Sequence, residues 1–247
     1  MAEALGWGAA VGLSLVGGAS LAAFTGMHVR LAAELTAFGG GILLAAVALE
    51  LVPEADAEAG AALTAAGLLA GTATYVAADA WLNRREATRA ARDAMHASAA
   101  GRRVSMEVAR GESIAAGLVV DGVPESLALG LTIAEGELGL ALLAGILVGN
   151  VVEAYGAAQP ILAGGRTRGF AVGLLAAIGA ALLVATVLGA TVLADASGEA
   201  IGTAQAVAAG AVLAVVSIAV VPHAFEEVRA TVAVATILGF TTGYLLS

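Results

Sequence analysis

The chain has no cysteine and no lysine, only three histidines, and few aromatics. Without cysteine there can be no disulfide and no thiolate metal site. Without lysine there can be no Walker-type phosphate loop, whose lysine reaches the phosphates, so no ATP-driven motor is expected here. Charge is scarce too. Charged residues make up 13% of the 247 positions and hydrophobic ones 60%, whereas a soluble domain is about a quarter charged. Such a chain cannot cover itself with polar surface, and lipid is its expected solvent. A formal net charge of −9 argues against nucleic acid as a partner. The first positive charge is Arg30, so no basic flank precedes the first apolar run and no cleavable leader is expected.

What the chain does have is long apolar runs. They lie at about 3–24, 31–53, 60–82, 112–134, 139–163, 169–193, 203–225 and 229–247. Each is long enough to cross about 30 Å of hydrocarbon as a helix. The 33 glycines suit close helix packing in lipid. The arginines check the count. Arg30 falls between spans 1 and 2, seven fall between spans 3 and 4, Arg166 and Arg168 between 5 and 6, and Arg229 between 7 and 8. All 11 then share one side of the membrane, which the positive-inside rule makes cytoplasmic, with both termini outside. The chain thus reads as one membrane domain, 1–247, in the cell membrane. The Arg-rich stretch 83–111 is expected to be a polar cytoplasmic loop lying against anionic headgroups, with His96 its only histidine. The outer loops are acidic (Glu54, Asp56, Glu58, Glu135, Glu137, Asp195 and Glu199) and would draw cations toward that face.

Residues 37–55 and 206–224 align without gaps at 8 of 19 identical positions, including Pro53 with Pro222. Span 2 runs outward and span 7 inward, so the repeat is inverted, as in many secondary transporters. The fold expected is an all-α membrane bundle of eight helices, with spans 1–3 related to spans 6–8 around a central pair, spans 4 and 5.

Spans 4 and 5 hold the costly residues: Asp121 and Glu125 in one, Asn150 and Glu153 in the other. Three acids at mid-bilayer cost on the order of 9 kcal/mol, and packing has no use for them. Asp121 and Glu125 are spaced i, i+4 and share a helix face about 6 Å apart, and Asn150 and Glu153 are spaced i, i+3. Facing helices with these oxygens would cage a divalent cation, which would offset the repulsion among the acids. Pro124 should kink span 4 and free a carbonyl beside Asp121. Glu50 and Glu54 near the outer end of span 2, and His223 and Glu226 (with Glu227) near the inner end of span 7, are candidates for a cation pathway. Asp79 is a weaker one, and His28 reads as loop.

These residues resemble the ZIP (Zrt/Irt-like) family of metal transporters. Span 2 (FGGGILLAAVALELVPEA) and the end of span 3 (YVAADAWLNR) are similar to the family's. The family's span 4 motif, close to H-N-x-P-E/D-G, is met here by Asp121-Gly122-Val123-Pro124-Glu125-Ser126, and its span 5 polar pair by Asn150 and Glu153. Only Pro124, Glu125 and Glu153 match strictly. The resemblance implies gradient-driven transport of a divalent metal bound between spans 4 and 5, by an elevator-like movement of one helix bundle against another, in a family whose members are often homodimers. It also implies zinc. However, Asp121 stands where the family has histidine, and an all-oxygen site suits harder ions such as manganese, iron(II) or magnesium. The alternative is a degenerate relative with a structural or regulatory role and no transport. No HExxH or GxSxG stands in any span, so no enzyme is expected.

Overall fold

The computed structural model describes residues 2–96, 99–134, 136, 139–192 and 196–247, and side chains outside 83, 86–114 and 116. Every element among them is helical. In chain order these are α1 (Ala2–Phe24), α2 (Val29–Ala46), a π turn (Val47–Leu51), α3 (Val52–His96), α4 (Ala99–Ala134), α5 (Leu140–Ala163), α6 (Arg168–Val192) and α7 (Gly198–Val215). A second π turn (Val216–Val220), α8 (Val221–Val228) and α9 (Thr231–Leu246) complete the chain. Among the described residues, six helical stretches are long and apolar enough to cross a membrane, and α9 is a shorter apolar helix. The chain is a multi-pass membrane protein.

One of the six stretches, Val29–Leu82, has 54 residues. Drawn straight it would be about 80 Å long, far beyond a bilayer. It is not straight. Gly60, at φ 77° and ψ 159°, takes a backbone conformation closed to side-chain-bearing residues. Beyond it the chain folds back, since Val29 and Thr36 on one limb line the same cavity as Tyr75 and Asp79 on the other.

Within the stretch 83–111, read from the sequence as a polar loop, the described residues are helical. Helix continues to His96 and resumes at Ala99. The physical reason is composition: from Arg84 to His96 the chain is mostly Ala, Arg and Glu, strong helix formers with neither Gly nor Pro. Glu135, Glu137 and Asp195 lie outside the described residues, as does the side chain of His96. Pro124 does not end α4, which continues through it.

The packing divides the helices into two sets. In one, α1, α4, α5 and α6 pack on one another, with α1 against both α5 and α6, and α4 against both as well. In the other, α2 lies along α9 and α3 along α7. The α2–α5, α4–α7 and α3–α4 contacts join the sets. Backbones touch where glycine allows: a Cβ on Gly71 would collide with the carbonyl of Val207, and one on Gly239 with that of Phe38. Along α4 the i, i+4 series Gly122, Ser126, Gly130 is buried and turned toward α6, where Leu182 and Thr186 leave no room beside the two glycines. The core joins Val11, Leu15, Ile42, Leu129, Leu142, Ile146, Ile161 and Leu175. Phe24, Leu69, Val192 and Leu245 project outward, as a lipid-facing surface requires.

Both π turns immediately precede a proline-bearing helical turn. The Val52 N–H reaches back to the carbonyl of Val47, and the Val221 N–H to that of Val216. Pro53 and Pro222 lack the N–H that would continue an ordinary ladder, and the widened turn accommodates them. In the ungapped alignment of 37–55 with 206–224 the two π turns occupy the same positions.

Candidate functional site

A cavity of about 850 Å³ runs into the bundle from the end where α1 meets α2 and where α5 and α8 finish. That end carries Arg30, Arg84, Arg166, Arg168 and Arg229. His223, Glu227 and Asp79 line its outer part, and Asp121 and Glu153 its deep part. Along α4, which leads away from this end, Glu125 sits one turn past Asp121. It is 6% exposed and does not line the cavity.

The three span acids share one electrostatic neighbourhood. Glu125 feels both Glu153 and Asp121, and Glu153 feels Asp121. Spacing on α4 and the α4–α5 contact bring them together, and the deep cavity gives two of them access to water. The Tyr75 hydroxyl of α3 donates to Asp121 Oδ1 at 2.6 Å. Asn150 is buried, outside the cavity lining, and its Nδ2 donates to the Val11 carbonyl of α1 at 3.4 Å. Two of the four candidate ligands are thus engaged by the protein itself. Among the described residues, no group of three or more His, Cys, Asp or Glu is gathered closely enough to hold a metal ion as it stands.

The pathway candidates part company. His223 lines the cavity, while Glu226, on the same short helix, is exposed and outside the lining. Glu50 and Glu54 lie at the opposite end of the bundle. Glu50 lies in the first π turn, and its carboxylate lies against the start of α5, near the backbone N–H groups of Ala141 and Leu142. Gly139, which caps α5, has no side chain to do this, and a Cβ there would fall 2.9 Å from Glu50 Oε2. That Oε2 is buried and has no hydrogen-bond partner. A carboxylate at a helix N-terminus favours the positive end of the helix dipole, so here the first π turn supplies a negative group at the start of α5, where Gly139 has none. Glu54 Oε2 accepts from Gln205 Nε2 at 3.0 Å, and Gln205 is fully buried.

Tyr75, Gln205 and Tyr155, which are not among the sequence-predicted site residues, also hold polar contacts. Tyr155 Oη accepts from Gln159 Nε2 at 2.7 Å and donates to the Met27 carbonyl at 3.1 Å, pinning the α1–α2 turn to α5. Each of the three is a polar group in an apolar helix, which was the available signal. His28 caps α2 by accepting the Arg30 N–H at 3.3 Å. Compared with models of known protein families and with curated proteins, the chain matches none.

Proposed function

We propose that this chain is a secondary transporter of divalent metal cations, in the manner of the ZIP family, with the cation held between α4 and α5 by Asp121, Glu125, Glu153 and Asn150. One observation carries the reading: Asp121 and Glu153 form the deep end of a cavity open at one end of a membrane bundle, with Glu125 buried one turn further on. Acids so placed are costly unless an ion or proton visits them. The cavity fits a carrier open on one side, and the clasp of Glu50 on α5 fits a closed opposite side.

We further propose eight passes around an inverted repeat. The fold-back at Gly60 supports counting Val29–Leu82 as two, and α9 supplies the last. The matched π turns, and the exchange-symmetric pairing of α3 with α7 and α2 with α9, support the repeat. The grouping of α1, α4, α5 and α6 supports movement of that set against the rest, with the arginine-bearing end cytoplasmic and the 83–111 segment there.

Uptake of Mn²⁺, Zn²⁺ and Fe²⁺ into proteoliposomes tests this. The parent should transport at least one of them down its gradient. Glu125→Gln and Glu153→Gln, which keep shape and remove charge, should each cut uptake by at least about tenfold, the loss of one charged ligand contact. Normal transport by both variants would sink the site, and a parent that moves no metal would leave the non-transporting alternative standing.

A further inference from the structure

The Tyr75–Asp121 bond joins the two sets of helices. Tyr75 belongs to α3, which lies along α7, while Asp121 belongs to α4, which packs with α1, α5 and α6. Tyr75 is 3% exposed and is held by Ala211, Ala214, Val215 and Val220 beneath it. Its ring is therefore anchored in one set while its hydroxyl grips a carboxylate of the other, inside the cavity that Glu153 and Asp79 also line.

We infer that Tyr75 is a positioning residue that competes with the cation for Asp121. The inference rests on the proposed transport reading. A hydroxyl proton directed at Oδ1 occupies one of the electron pairs through which this carboxylate could take a cation. A cation taking Asp121 through that oxygen displaces the proton, and with it the tie between α3 and α4. With the site empty, Tyr75 holds the two sets in the arrangement seen here, and cation binding frees them to move. The same contact thereby sets the affinity of the open cavity, keeping Asp121 from holding its ion too tightly to release it.

The competing role for Tyr75 is that of a ligand through its oxygen, and the sign of the effect separates the two. Tyr75→Phe removes only the hydroxyl and keeps the ring in its pocket. Binding of Mn²⁺ and of Zn²⁺ to the purified full chain in detergent is measured by calorimetry, alongside thermal unfolding without metal. For whichever ion the parent binds, Tyr75→Phe should bind about tenfold more tightly, as loss of a competing hydrogen bond to a charged group requires. That gain should vanish in an Asp121→Asn background. Unchanged or weaker binding by Tyr75→Phe overturns the inference while leaving the transport site standing. So does a gain that persists in the Asp121→Asn background. A lowered unfolding temperature together with weaker binding would mark Tyr75 as structural only. If the parent binds neither ion, this inference falls, and the uptake assay decides the transport reading by itself.

Discussion

A buried polar side chain in a membrane helix must find a partner or pay for lacking one, and this chain offers both outcomes. Gln205 is fully buried and donates to Glu54. Gln205→Leu should remove that donor and lower the unfolding free energy in detergent by about 1–2 kcal/mol, seen as a reduced melting temperature. The acids of α4 and α5 were legible in the sequence because charge at mid-bilayer has no packing rationale. Tyr75 was not, because what gives it meaning is Asp121, a residue far along the chain on a helix that tertiary packing brings alongside. From the sequence, Glu50 reads as a pathway candidate near the outer end of span 2. Its clasp on Ala141 and Leu142 depends on where α5 begins in space.

At the level of elements, close packing rests on backbone contacts that a single methyl would disturb. Gly71→Val and Gly239→Val should each force α3 from α7 or α2 from α9, at a cost of at least about 1–3 kcal/mol, with lower yields of folded protein on size exclusion. The Glu50 cap should matter differently. Glu50→Ala removes the carboxylate from the start of α5, and loss of a capping group there typically costs about 0.5–2 kcal/mol. It should also loosen the end of the bundle near Thr132, which is buried close to Gly139. Because the chain has no cysteine, Thr132→Cys introduces a unique thiol. Its modification by a water-soluble maleimide in detergent should quicken by about an order of magnitude in Glu50→Ala, the population shift expected for about 1.4 kcal/mol. Equal rates would mean that the clasp holds nothing shut. Span positions were legible from apolar length. The helical course of 83–96 and 99–111 was hidden by polarity, because helix propensity and membrane insertion are separate properties and the apolar pattern reports only the second.

For the whole molecule, the distribution of arginine makes a topological statement that can be checked in cells. If the arginine-bearing end faces the cytoplasm, a cysteine at Ser247 should react with a membrane-impermeant maleimide on intact cells, and one at Thr167, in the α5–α6 turn, should react only after lysis. The reverse pattern would invert the orientation and place the cavity mouth outside.

The sequence alone determined that the chain lives in lipid, that its helices are long and apolar, and that acids stand where hydrocarbon should penalise them. All three follow from composition and from the spacing of residues close together in the chain. Only tertiary structure decided that Gly60 folds one long stretch back on itself, that Glu50 closes the start of α5, that Asn150 turns to α1, and that Tyr75 reaches Asp121. Each of these joins groups distant in the chain through backbone geometry and helix packing, and apolar periodicity carries no record of which helix stands beside which.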